Sequence, residues 1–148
     1  MRVILNILLL AAFCGCTHNN GYIGPLFGNW VLSSMTVDGA AFDPHEADTF
    51  MQFQGDIVMT KLIDDRHTQL TYSVGTWERD DRTLILDYRH SDNEWQPGTG
   101  IYRAPEWLLL ESNAINTLEI LTLDKKQLRL RYLTPQGQVV NYSFRKTF

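Results

Sequence analysis

Cysteine is nearly missing from this chain. Its 148 residues include two, Cys14 and Cys16, both close to the start. A bridge between neighbours so close would be strained, so the body of the chain has neither a disulfide staple nor a cysteine nucleophile and must fold on its apolar core alone. Long apolar runs are missing too. The longest, residues 3–13, is broken by Asn6 and is about half of the roughly twenty residues that a membrane-crossing helix needs. No basic patch is present and the net charge is −4, which excludes a nucleic-acid partner. The His-Glu-x-x-His spacing of zinc hydrolases does not occur. Ser33 and Ser34 have no Gly-x-Ser-x-Gly setting. The five prolines fall at turns rather than inside apolar alternations, as a sheet requires.

What is present begins with a single positive charge, Arg2, followed by the short apolar stretch and then small residues. This is the layout of a secretory signal. The segment resembles a bacterial lipoprotein signal, with Gly15 before Cys16 and bulky Phe13 before Cys14. The resemblance implies cleavage before Cys16, which would carry the lipid. Residues 1–15 are then the signal, 16–24 a lipidated tether and 25–148 the folded domain. Thr17 as the second mature residue implies the outer membrane by the same resemblance. The lack of an acidic cluster after Cys16 points to the periplasmic face.

Beyond Gly24 the chain reads as short strands and turns. "NWVLSSMTVDG" (29–39) is rich in β-branched and aromatic residues and ends in the turn pair Asp38-Gly39. "TFMQFQGDIVMTKLI" (49–63) is two strands about a tight turn at Gln54-Gly55-Asp56. "DDRH" (64–67) is another turn. "TQLTYSVGTWE" (68–78) places Leu70, Tyr72 and Val74 together on one face, as in a half-buried strand. "RTLILDY" groups Leu84, Leu86 and Tyr88. Residues 89–103 read as a loop, and "PEWLLLES" as a short helix over 105–112, or equally a strand. Near the C-terminus, Leu128, Leu130 and Tyr132 alternate with Arg129 and Arg131. After a "TPQG" turn, Val140, Tyr142 and Phe144 alternate with Asn141, Ser143 and Arg145.

About eight antiparallel strands with short connections make a meander. It is stable if it closes into a barrel, because closure hides both the apolar face and the strand edges. An open sandwich is the structural alternative. Eight strands leave an interior either filled by side chains or able to hold one small ligand.

Gly28-Asn29-Trp30 at the head of the first strand resembles the Gly-x-Trp signature of the lipocalin superfamily. The series "IGPLFGNWVL", "GTWERDDRTLIL", "LEILTLDKKQLRLRY" and "YSFRK" is similar to small lipocalin-like lipoproteins of gut-dwelling anaerobic bacteria. The resemblance implies an all-β, eight-stranded meander barrel closed at one end by Trp30. A basic residue of the last strand, here Arg145, would stack on Trp30 in a cation–π contact worth up to about 2 kcal/mol when dry.

Sites are few. "DPHEAD" (43–48) gathers Asp43, His45, Glu46 and Asp48, residue types that suit several metals. No second histidine is near, so solvated loop charges and no metal are expected. "DDRH" and "ERDDR" (78–82) read as polar turns rather than acid/base pairs. His90 beside Asp92 and Glu94 is a conceivable proton relay. No catalytic group and no cofactor is expected. The aromatic set Trp77, Trp95, Tyr102 and Trp107 lies on or near the long loop. With Tyr88 it could line an apolar pocket, dock a protein or plug the barrel from within. The expected role is non-catalytic: a lipid-anchored envelope protein that binds a small apolar or amphipathic ligand through Trp77, Tyr88, Trp95, Tyr102 and Trp107. The alternative is a protein-binding module, such as an envelope-enzyme inhibitor or an assembly accessory, with a filled barrel.

Overall fold

A computed structural model describes residues 24–43, 47–89 and 103–147. Among these residues nine strands follow one another in chain order: β1 (Gly28–Val37), β2 (Ala40–Ala41), β3 (Asp48–Gln54), β4 (Ile57–Ile63), β5 (Gln69–Asp80), β6 (Thr83–Asp87), β7 (Ile115–Leu123), β8 (Gln127–Leu133) and β9 (Val139–Thr147). All pairings are antiparallel, and β9 returns to pair with β1 from Asn29↔Thr147 to Val37↔Val140. The result is a closed eight-stranded meander barrel, with the two-residue β2 an appendage of β1.

The turns form where local chemistry demands them. Asp38 and Gly39 both have positive φ (51° and 82°), the backbone that matches a two-residue hairpin to strand twist. The Asp64 carboxylate accepts the amides of Arg66 and Thr68 at 3.0 and 2.8 Å. Asp124 does the same for Lys126 and Gln127 at 2.7 and 2.8 Å, and these amides hold its pKa below the usual carboxylate range.

Alternation then selects the core. Leu84, Leu86 and Tyr88, Leu128, Leu130 and Tyr132, and Val140, Tyr142 and Phe144 all point inward and are buried. A side chain beside a void large enough for water would keep some exposed area. Trp30, Phe53, Val58, Leu84, Leu86, Leu128, Leu130 and Val140 are each 0% exposed, so this part of the interior is packed with the chain's own side chains.

Two expectations need correction. Leu70, Tyr72 and Val74 do share a face of β5, but it is the outer one: Leu70 is 49% and Tyr72 59% exposed. The inward row is Ser73, Gly75 and Trp77. The Tyr88 ring occupies the space over Gly75, where a Cβ would lie 2.7 Å from it. That contact fixes which parity of β5 faces inward. The short helix over 105–112 shrinks to one 3-10 turn, Glu106–Leu108, which ends at Leu109 in a left-handed conformation (φ 59°). The loop over 89–103 lies almost wholly outside the described residues.

Candidate functional site

The two barrel ends are built differently. At one end the chain enters β1. Here the Trp30 indole donates to the Leu26 carbonyl at 2.8 Å and is fully buried. The cation over its ring is Lys146, with Nζ 4.9 Å from the centroid. This corrects the assignment to Arg145. Lys146 continues the inward parity of Tyr142 and Phe144, while Arg145 lies between Val31 and Gln127 on the exposed face. Lys146 also donates to the Pro25 carbonyl at 3.2 Å. Its side chain runs over Gly28, where a Cβ would sit 3.1 Å from its Cε and where φ is +118°. The glycine of Gly-x-Trp is thus required by backbone conformation and by the lysine passing over it. Trp77 belongs to this closed end, packed edge-on against Phe53 at 5.3 Å between centroids.

The opposite end, the mouth, is capped by residues 103–112. Leu108 is 0% exposed, and Ala104 and Leu110 are buried beside it. The segment is tied down around its rim. Tyr142 donates to the Leu108 carbonyl at 2.6 Å, and Trp107 donates to Thr49 Oγ1 at 3.2 Å. Ser73 donates to the Arg103 carbonyl, and the Ala104 amide donates to Ser112 Oγ at 3.0 Å. Asn116 anchors the far side. Its Oδ1 accepts the Glu111 amide at 2.8 Å and the Tyr132 hydroxyl at 2.9 Å, and its Nδ2 donates to the Glu111 carbonyl at 2.9 Å. The cap is a plug made from the chain itself.

Next to the plug the wall is split. β1 pairs with β3 only from Gly28 to Val31. A bulge between Leu32 and Ser34 then turns β1 toward β2, which pairs with it at Thr36↔Ala41. The seam opens as a cleft of about 600 Å³ lined by Leu32, Met35 and Phe42, with Asp43, Asp48 and Asp65 at its polar edge. Thr49 is shared between the cleft lining and the Trp107 bond, so cleft and plug are contiguous.

Under the plug lies a polar spot. Thr60 and Ser73 stand opposite each other across β4 and β5. Both hydroxyls face the Tyr88 phenol closely enough to favour its ionised form slightly, but burial outweighs them and drives its pKa far up. The hydroxyl oxygens of Thr60 and Tyr88 are buried and meet only one another and Ser73, short of normal hydrogen-bond geometry. Burial likewise raises the pKa of Tyr142.

Of the expected ligand residues, Trp107 lies at the plug and Tyr88 directly beneath it, whereas Trp77 is at the other end. Trp95 and Tyr102 lie outside the described residues, as do His90, His45 and Glu46. Among the described residues no group of three His, Cys, Asp or Glu side chains is placed to hold a metal. Thr49, Thr60, Ser73 and Asn116 were missed by sequence reasoning. Thr60 had a signal: it interrupts the apolar row Val58, Leu62 at a position that alternation sends inward.

A family model described as a lipocalin-like domain matches residues 26–130. An uncharacterized protein from Bacteroides eggerthii is similar in structure, with a TM-score of 0.60, 18% identity and coverage of 82% of this chain and 99% of that one. A lipocalin-like protein from Bacteroides uniformis has a TM-score of 0.56 at 18% identity, covering 84% of this chain and 100% of that one. At such identity the likeness shows the fold alone. No curated protein sequence matches the chain.

Proposed function

The chain belongs to the lipocalin-like domain family, and on that premise we propose that it is a non-catalytic envelope protein that binds a small apolar or amphipathic molecule at the mouth of its barrel. The observation that carries this reading is the contiguity of cleft and plug. A cleft of about 600 Å³ is within the range of small-molecule sites. It opens beside a cap whose Leu108 is fully buried in the mouth. Displacing that cap would join the cleft to the space over Tyr88 and Tyr142. Affinity would come from apolar burial, at roughly 25 cal/mol per Å². Trp107 and Tyr88 would line the enlarged site; Trp77 would act from the closed end as packing. Native mass spectrometry of the protein extracted from the envelope tests this. The expected result is one small mass bound per chain. A bare chain, or a protein bound one to one, would sink the carrier reading.

The second reading, a protein-binding module, has an observation of its own. Leu70 and Tyr72 are exposed side by side on the outer face of β5, and the closed half of the barrel is packed. A stoichiometric protein in the same spectrum would favour it.

The lipid anchor at Cys16 and a position on the periplasmic face of the outer membrane belong to the same proposal. Their support is the order of Arg2, apolar stretch, Gly15 and Cys16. Labelling with radioactive palmitate is expected to mark the parent chain and not Cys16→Ala. Equal labelling of the two would move the anchor to another residue.

A further inference from the structure

We propose that the mouth half of the barrel selects an uncharged amphipath. Its hydrogen-bonding head group would meet the hydroxyls of Thr60, Ser73 and Tyr88, and its apolar body would take the place of Leu108. This deepens the carrier reading and rests on it.

Three observations converge. The first is the polar patch itself. Thr60 Oγ1 and Tyr88 Oη are buried and meet only one another and Ser73, at geometry too poor for a normal hydrogen bond, whereas buried polar groups are almost always well paired. Ser73 makes its bond to the carbonyl of Arg103, within the plug segment. When the plug lifts, all three hydroxyls of one small patch are open to a guest. Each can donate or accept.

The second is the state of the plug. Leu109 holds φ at 59°, a left-handed backbone that side chains other than glycine and asparagine adopt at a cost. The closed mouth therefore combines unfavourable backbone at Leu109 with poorly paired hydroxyls beneath it. A guest that pairs those hydroxyls relieves one and permits relief of the other.

The third is charge. The buried polar side chains among the described residues are Thr49, Thr60, Ser73, Asn116 and Thr134, all neutral. A carboxylate or ammonium brought under the plug would lose its water and gain no counter-charge. The way in passes Asp43, Asp48 and Asp65, with no basic residue among the described lining of the cleft, which disfavours an anion further. A fatty alcohol or a similar neutral amphipath meets neither obstacle.

The test uses the full chain and three probes of equal length, 1-decanol, decanoate and decylammonium, titrated by calorimetry with tryptophan fluorescence as a second readout. Decanol is expected to bind about tenfold tighter than either charged probe, the equivalent of a charged or well-formed hydrogen bond. Tyr88→Phe is expected to weaken decanol about three- to tenfold and to leave the charged probes unchanged. That variant keeps the ring and removes only a buried, poorly paired hydroxyl, so it is expected to melt close to the parent temperature, which thermal unfolding checks. Thr60→Val serves as the independent second variant. No binding of any probe would overturn the carrier reading together with this one. Equal binding of the three, or tightest binding of decylammonium, would overturn the head-group selection and leave the carrier reading standing. Decanol affinity unchanged in both variants would mean that the hydroxyls serve ordered water and not a guest.

Discussion

Trp30→Ala is expected to destabilise the fold by about 3–5 kcal/mol, the range for truncating a fully buried large aromatic. Trp30 is 0% exposed, one of the largest side chains of the core. Its loss leaves a void at the closed end that the barrel cannot collapse, because β1 is held on both sides, by β3 and by β9. Two polar contacts go with it. The Leu26 carbonyl loses its indole donor, and Lys146 loses the ring beneath its ammonium. Urea unfolding followed by circular dichroism measures the change through the midpoint at constant slope. Trp30→Phe keeps most of the volume and should retain more than half of the lost stability. A cost under about 1 kcal/mol for the alanine variant would mean that the closed end packs independently of this residue.

Gly75→Val carries the second large effect. A Cβ at Gly75 would lie 2.7 Å from two atoms of the Tyr88 ring and 2.8 Å from the Asp87 carbonyl oxygen. The carbonyl belongs to the β5–β6 ladder and cannot retreat, and Tyr88 is 1% exposed, with no open space to turn into. Overpacking of a filled core costs about 1–3 kcal/mol and occasionally more. Here backbone and ring are both struck, so alanine should reach the top of that range and valine exceed it. The same unfolding experiment on Gly75→Ala, Tyr88→Ala and the double variant isolates the contact. The expected coupling is about 1–3 kcal/mol in the rescuing direction. Additive effects would show that the two residues do not meet in the folded protein.

Both residues also mark how far the sequence could be read. Trp30 announced itself, since a Gly-x-Trp at the head of an alternating strand is visible in one dimension. The barrel was legible for a related reason: rows such as Leu128, Leu130, Tyr132 and Val140, Tyr142, Phe144 repeat every second residue, and the turns carry Asp-Gly or Pro-x-Gly chemistry. β5 was not legible in the same way. Its outer row of Leu70, Tyr72 and Val74 is more apolar than the Ser73 and Gly75 that alternate with it, and the inward parity shows only in Trp77 at the far end and in the Tyr88 ring that follows β6. Arg145 shows the converse. Its alternation already placed it with Asn141 and Ser143, and Lys146, one position on, had the parity of the core. The plug was hidden because residues 103–112 have no period at all. Their place is fixed by Asn116, Thr49, Tyr142 and Ser73, which come from four different strands. The hydroxyl patch was hidden for the same reason: Thr60, Ser73 and Tyr88 are adjacent only once β4, β5 and the residue that follows β6 are laid side by side.

The entry of the chain at the Trp30 end has a bearing on orientation in the cell. Residues 17–23 separate Cys16 from the first described residue, Gly24, and seven residues reach about 25 Å at full stretch. On the proposed lipid anchor at Cys16, the barrel would be attached at its sealed Trp30 end, with the plugged opening at the end opposite the attachment. A guest would then arrive from the aqueous side, and hand-over to the bilayer would require the molecule to tip over on its leash.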